Sequence, residues 1–344
     1  MKDLKLALLG FGNAGQAFAK MLTEKQSEIY SLYGRRVVVT AIATARKGTI
    51  MNSGGIDLLK VCEDAEKLGK FAEDTPGLCD KTVIEVIQEA DCDVVCELTP
   101  LNIFTGQPAI THIKTAFSCG KHVITANKGP VAWAFNELSE MAKAKRVCFF
   151  YETTVMDGTP VFNLTEHTLK FCKVTEVSGI LNSTTNYILE ELAAGKAYDE
   201  VIVAGKAKGF IEADPAMDIE GYDAAAKITA LLNVLMDARM TPPDVDRTGI
   251  ENITVSDIEE AASRGKVIKL LCRGWKEDGR VYASVKPVEV DRKDMLAAVD
   301  STTSVVSITT DLMGKLSVIE HGPEIEQTAY GIFGDVIRVL DAEK

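Results

Sequence analysis

A short, largely apolar run, Leu4–Leu9, leads directly into Gly10-Phe11-Gly12-Asn13-Ala14-Gly15, and helical spacing takes over at about Ala14. Three glycines at that spacing between a strand and a helix leave few folds open. Gly10 permits a tight turn, and Gly12 lets the backbone approach a pyrophosphate. Gly15 lets helix and strand pack closely while the helix N-terminus faces the anion. The segment therefore reads as a dinucleotide loop, with Gly10, Phe11, Gly12, Asn13, Ala14 and Gly15 as cofactor-binding residues. A merely tight strand-to-helix turn is the competing reading.

The pattern after the loop agrees with it. Further apolar, β-branched runs at Val37–Ala43, 93–98, His122–Thr125 and 147–151 alternate with helical segments, which predicts a parallel sheet flanked by helices. Residues 47–75 show weak periodicity and read as loop and short helix. Beyond Tyr151 the character changes: strands are expected at 171–181 and 281–290, separated by one long helical stretch over 186–236. Pro242-Pro243 breaks that helix, and a short helix is expected over 256–265. Ile332, Val336, Ile337 and Leu340 have helical spacing, so the last segment is expected to pack back on the first domain. The resulting division is a dinucleotide-binding domain over 1–150, a second, α+β domain over 151–318 and a returning segment over 319–344.

Charge narrows the partners. Lys plus Arg is 38 and Asp plus Glu is 50, and a net charge of −12 is the wrong sign for nucleic acid or an anionic membrane. The apolar run at the N-terminus is too short for a signal or membrane segment, so a cytoplasmic protein is expected. The 8 cysteines contain no Cys-x-x-Cys and read as reduced thiols. Cys92 and Cys96 lack zinc-site spacing, and Cys119 reads as a helix end. The 4 histidines are scattered, follow no catalytic or metal pattern, and are read as structural.

In nucleotide-binding sheets of this kind, a carboxylate after the second strand accepts the ribose hydroxyls of NAD. Here Val37–Ala43 is followed by Thr44-Ala45-Arg46-Lys47, which has no carboxylate and two cations. Arg46 and Lys47 are therefore assigned to a 2′-phosphate, and NADP is favoured over NAD. An ordinary solvated pair is the alternative.

Several blocks resemble the homoserine dehydrogenase family: Glu97-Leu98-Thr99-Pro100, Gly120-Lys121-His122 through Asn127-Lys128-Gly129-Pro130, Glu152-Thr153-Thr154-Val155-Met156-Asp157-Gly158-Thr159-Pro160, and Gly179-Ile180-Leu181-Asn182-Ser183-Thr184-Thr185-Asn186. The most specific runs from Ala207-Lys208-Gly209-Phe210-Ile211-Glu212 through Asp214-Pro215 and Asp218 to Asp223 and Lys227. The resemblance implies an α/β protein with a Rossmann-like, parallel-sheet nucleotide-binding domain and an α+β catalytic and dimerisation domain that builds a homodimer. It implies interconversion of aspartate semialdehyde and homoserine. Longer members append an ACT domain; this chain ends at Lys344, so that module is expected to be absent. Gly322-Pro323-Glu324-Ile325-Glu326-Gln327 departs from the family's Gly/Ala-rich loop, and its two carboxylates could repel phosphate.

Carbonyl reduction by a nicotinamide needs an acid/base and groups that hold the substrate. By resemblance Lys227 is the acid/base with Asp223 beside it, and Lys128, expected in a loop at the carboxyl edge of the sheet, holds the reacting oxygen or shares the proton. Thr99 and Lys128 are further cofactor contacts by the same resemblance. Asp223 and Lys227 are four apart on an expected helix, so an exposed ion pair is the plainer reading. Glu212 and Asp218 suit the substrate ammonium, with charge at a helix N-terminus as the plainer reading, and Asn182, Ser183 and Thr184 offer neutral donors for its carboxylate or form a helix cap or turn. Glu152, Val155, Asp157 and Thr159 resemble the segment that wraps a sodium ion through backbone carbonyls; a plain strand-to-loop junction is the alternative. A related NADP-dependent reductase of another small amino-acid aldehyde or hydroxy acid, and a dinucleotide-binding sensor without turnover, are the competing functions.

Overall fold

A computed structural model gives the fold and describes residues 2–211 and 214–343. The chain forms two compact units, Met1–Pro160 with Glu324–Lys344, and Val161–Pro323.

The first unit runs β1 (Leu4–Leu9), α1 (Asn13–Tyr33), β2 (Val37–Ala43), β3 (Thr49–Met51), α2 (Leu58–Leu68), β4 (Leu78–Cys79), α3 (Val83–Glu89), β5 (Val94–Glu97), α4 (Ala109–Ser118), β6 (His122–Thr125), α5 (Lys128–Lys145) and β7 (Phe149–Phe150). Its sheet has the order β4-β3-β2-β1-β5-β6-β7. The strands β2, β1, β5, β6 and β7 are parallel, whereas β3 and β4 are antiparallel additions. The chain leaves β1 for β2 on one side and later returns to β5 on the other. That reversal opens a crevice at the carboxyl ends of β1 and β5, where such sheets hold ligands. The segment 47–75 is more ordered than its sequence suggested. It carries β3 and the amphipathic α2, whose Val61, Cys62 and Ala65 face the core. The helix has only 11 residues and stands among Gly-, Asp- and Lys-rich turns, so its period is brief.

The second unit contains α6 (Val161–Thr168), β8 (Val174–Ile180), α7 (Ser183–Ala193), α8 (Tyr198–Ala207), α9 (Ala216–Ile219), α10 (Tyr222–Met236), β9 (Asp246–Arg247), α11 (Val255–Ser263), β10 (Lys266–Glu277), β11 (Arg280–Asp291), β12 (Ser304–Thr310) and β13 (Gly314–Glu320). The sheet order is β13-β12-β8-β10-β11-β9, antiparallel except where β9 joins β11. Among the described residues, the single helix expected over 186–236 is four helices. Gly195, left-handed at φ 85, follows the end of α7, and Pro215 stands directly before α9. Strands β12 and β13 have no counterpart in the sequence reading. Nearly every side chain of Ser304–Thr310 is buried, on both faces, so the alternation that betrays a half-exposed strand is absent.

The last helix, α12 (Ile325–Ala342), belongs to the first unit. Ala329, Ile332, Val336, Val339 and Leu340 form one buried stripe that joins the core of β1 and α1. Tyr33 donates to Asp341 at 3.0 Å, and Arg35 bridges Glu343 at 2.5 Å, fixing the helix's far end.

Candidate active site

In the first unit, Gly10 has φ 98, and a methyl carbon placed on it would lie 2.7 Å from the Leu98 carbonyl carbon. Gly12 faces open space, leaving room for a ligand against the backbone, and a methyl carbon placed on Gly15 would lie 3.3 Å from the Gly10 carbonyl oxygen. Helix α1 begins at Asn13 with no side-chain cap hydrogen bond and no acidic residue in its first turn. Its first amides and dipole thus favour an anion. Phe11 is different from its neighbours: its ring is in the core, 5.9 Å from Phe71, so only its backbone serves the loop.

The turn after β2 is closed by Thr44, whose hydroxyl accepts from the Lys47 amide at 2.8 Å and donates to the Gly48 carbonyl at 3.0 Å. Arg46 at its apex is exposed and Lys47 half-buried. Glu324 caps α12 in a reciprocal box with Gln327, so this departure from the family pattern is a helix start. Glu326 borders a groove of about 420 Å³ that also touches Asn13, Gln16 and Lys20 of α1.

At the carboxyl edge of the sheet, Asn127 accepts from the Gly129 amide at 3.0 Å and caps α5. Lys128 is therefore the first residue of a helix, not part of a loop as its sequence context suggested. The same Asn127 donates to the Thr99 carbonyl at 3.1 Å, tying Thr99 to the start of α5. Residues Glu152, Val155, Asp157 and Thr159 lie in an irregular turn that starts as a 3-10 helix over Glu152–Thr154, with Glu152 and Val155 buried and Asp157 and Thr159 half-buried. The carbonyls of Tyr151 and Met156 take turn hydrogen bonds from Thr154 and Thr159. Helix α12 clamps the turn: Asp335 accepts from the Glu152 amide at 2.9 Å, Thr328 donates to Asp157 at 2.5 Å, and Thr153 donates to the Thr328 carbonyl at 3.2 Å. Gly331 permits this approach, since a methyl carbon there would lie 2.7 Å from Thr153 Cβ. Burial raises the Asp335 carboxyl to about 7, offset in part by the Glu152 amide and Arg338.

The second unit brings five of the candidate residues into one cluster. Asn182 caps α7 by accepting from the Thr185 amide at 2.8 Å, and its amide nitrogen donates to Asp218 at 2.6 Å and Asp223 at 3.0 Å. The sequence offered Asn182 as a donor to a substrate carboxylate; both of its amide hydrogens are instead engaged by protein carboxylates. Thr184 donates to the Phe210 carbonyl at 3.2 Å. Lys227 donates to the Leu181 carbonyl at 2.8 Å and lies 3.5 Å from Asp223, one turn earlier on α10. These two side chains are only 19% and 14% exposed, so the pair is not the solvated surface bridge that four-residue spacing alone allows. The Asp218 carboxyl is held above its usual range by burial and by the Asp223 charge, against hydrogen bonds from Asn182 and Thr184 and the Lys227 charge. Glu212 lies outside the described residues. Among the described residues no three His, Cys, Asp or Glu side chains converge on a metal position.

Sequence reasoning passed over Glu97 and His112. Glu97 is fully buried at the end of β5, and His112 on α4 lies 3.3 Å from it. A carboxylate closing the apolar run Val94–Glu97 was the available signal.

Two family models match the chain: "Homoserine dehydrogenase, NAD binding domain" over residues 10–152 and "Homoserine dehydrogenase" over residues 160–337. The homoserine dehydrogenase of Methanocaldococcus jannaschii is 38% identical over 99% of this chain and 100% of its own length. A protein of Pseudomonas canavaninivorans named NAD(+)-dependent homoserine dehydrogenase is 34% identical over 98% of this chain and 97% of its own. A hyperthermophilic archaeal homoserine dehydrogenase solved in complex with NADPH superposes with a TM-score of 0.84 at 28% identity, covering 98% of this chain and 97% of that one.

Proposed function

The chain belongs to the homoserine dehydrogenase family of oxidoreductases, and from that membership we propose that it interconverts L-homoserine and L-aspartate 4-semialdehyde with Lys227 as the acid/base. The observation that carries this reading is the half-buried cluster of Lys227, Asp223, Asn182 and Asp218. The nicotinamide, when bound, supplies the hydride acceptor at the alcohol and the hydride donor at the aldehyde. In the oxidative direction the Lys227 amine takes the proton of the C4 hydroxyl; in the reductive direction its ammonium returns that proton to the carbonyl oxygen. Asp223 and the Leu181 carbonyl aim the amine, and Asn182 holds Asp223 in place. Lys128 assists at the reacting oxygen by family resemblance.

Asp218, and by resemblance Glu212, receive the substrate ammonium. Asp218 is suited to it, because its charge is penalised in the free protein and relieved by a cation. The sign follows: a carboxyl raised in the folded state favours folding at low pH and loses that advantage as pH rises through its elevated value. Homoserine affinity should accordingly increase with pH over that window. We expect Asp218→Asn to raise the homoserine KM about ten- to a hundredfold, the worth of one charge-assisted contact. An unchanged KM across the pH series would remove Asp218 from the substrate site. Oxidation of a panel of hydroxy amino acids with NAD and NADP tests the whole reading, which fails if homoserine is not the preferred substrate.

For the cofactor we favour NADP over NAD, supported by the exposed Arg46 and the neighbouring Lys47 after a strand that ends without a carboxylate. The Arg46→Ala protein should bind NADP about ten- to a hundredfold more weakly with NAD little changed. Calorimetric titration of both nucleotides decides this, and equal losses would make Arg46 a solvated surface charge. Sodium is supported by the carbonyl-rich, irregular turn at Glu152, Val155, Asp157 and Thr159, of which Glu152 and Val155 are buried. Melting curves that coincide in sodium and potassium at equal ionic strength would discard it.

We also propose a cytoplasmic homodimer. No described helix is long and apolar enough to cross a membrane. Gly274 faces α10, with Leu232 Cγ 2.8 Å from where its methyl would be, so Arg273 and Trp275 project from the opposite face. There Trp275 stacks on Tyr282 at 5.8 Å under the Arg273 guanidinium, a composition typical of interface centres. A monomer at micromolar concentration in sedimentation equilibrium would exclude the dimer.

A further inference from the structure

The Glu97 carboxylate is fully buried at the carboxyl end of β5, and all its hydrogen bonds converge on one oxygen. Oε1 accepts from the Thr99 hydroxyl, from the Thr99 amide at 3.4 Å and from His112 Nδ1 at 3.3 Å. Among the described residues Oε2 is buried with no partner. A buried carboxylate satisfied on one side only is costly, and a core position would accept an apolar residue more cheaply. What the arrangement achieves is to fix Thr99.

Thr99 sits between two parts of the nucleotide site. On one side, Leu98 and the Thr99 amide lie against Gly10, whose missing side chain is what allows the approach. On the other, Asn127 donates to the Thr99 carbonyl at 3.1 Å and to the Pro100 carbonyl at 3.5 Å, while its own oxygen caps α5 at Lys128. One oxygen of Glu97 therefore governs a segment that touches both the glycine loop and the start of the lysine helix. His112, anchored on α4 and buried, sets the direction of that oxygen.

We propose that Glu97, backed by His112, is a positioning residue for nicotinamide-nucleotide binding: through Thr99 and Asn127 it sets the spacing between the Gly10 turn and Lys128. This rests on the dehydrogenase reading above. The role depends on an acceptor at the right reach, not on negative charge, and two near-isosteric variants separate these. Glu97→Gln keeps an acceptor at Oε1 and loses the charge. Glu97→Asp keeps the charge and withdraws the acceptor by about one methylene, some 1.5 Å.

The test is titration of NADPH and NADH into each protein, followed by the fluorescence of the bound reduced nucleotide, together with kcat, KM and thermal melting. Glu97→Gln is expected within about threefold of the wild type in nucleotide affinity. Glu97→Asp is expected to weaken both nucleotides by about tenfold or more, lower kcat, and melt within a few degrees of the wild type. The reverse order, with Gln damaging and Asp tolerated, overturns the proposal in favour of a charge role. An Asp variant that melts lower yet binds nucleotide normally overturns it in favour of mere core support. Nucleotide binding needs no turnover, so a wild type that binds NADPH but does not oxidise homoserine defeats the functional reading while this test still stands. A wild type that binds neither nucleotide defeats both.

Discussion

Replacing Lys227 by alanine is expected to lower homoserine oxidation by about 10²- to 10⁴-fold, the usual worth of a positioned acid/base, with nucleotide affinity nearly unchanged. The side chain is held by the Leu181 carbonyl and Asp223, groups of the second unit, whereas the glycine loop belongs to the first. A stability effect should be small, because removing Lys227 leaves Asp223 still bonded to Asn182. The discriminating measurement is single-turnover hydride transfer at saturating homoserine and nucleotide. If the Ala variant matches the wild type there, Lys227 is only the ion-pair partner of Asp223. A loss of comparable size in Asp223→Asn, with the pH optimum displaced, would further tie the two residues to one proton-transfer unit.

The second large effect is expected at Gly10. In Gly10→Ala the new methyl carbon would fall 2.7 Å from the Leu98 carbonyl carbon, on a backbone at φ 98 that side-chain-bearing residues rarely adopt. Neither the overlap nor the torsion can be relieved by a side-chain rotation, since the obstacle is backbone. We expect a stability loss of roughly 3 kcal/mol or more, and so a melting temperature lower by about 6–12 °C. Nucleotide affinity should fall at least tenfold. Gly12→Ala is the internal control: its methyl would point into open space, so its melting temperature should hold while binding suffers. A Gly10→Ala protein with wild-type melting and binding would show that Leu98 yields readily, and that the turn is less constrained than its geometry says.

These two positions also mark what could be read before the structure. Gly10 was legible because a glycine triplet between a strand and a helix has a local physical meaning that spacing expresses directly. Lys227 was singled out only through a resemblance, since Asp and Lys four apart on a helix are commonplace. That the pair is half-buried and joined to Asp218 through Asn182 depends on α7, α9 and α10 meeting, which no local pattern encodes. Asn182 shows the limit most clearly. A helix cap and a carboxylate donor were both open to it, and the packing of Asp218 and Asp223 decided. The four helices within 186–236 were merged because apolar spacing persists across the breaks. Strand β12 was missed for the opposite reason, having no exposed face to supply a period, and β13, largely exposed with one buried residue, shows no clear alternation either. Glu97 was passed over because a carboxylate at a strand end is ordinary until its burial is known.

Helix α12 has a further consequence, for how the protein is made. It completes the core of the first unit, yet it follows the whole of Val161–Pro323 in the chain. On the ribosome, β1 to β7 emerge early with the stripe later covered by Ala329, Ile332 and Val336 still bare. The second unit can fold as a continuous insertion while the first waits. The first-made segment thus lacks part of its core until α12 has been made. A chain released before α12 would carry a second unit complete in itself attached to an open nucleotide-binding one, with apolar surface that chaperones and proteases recognise.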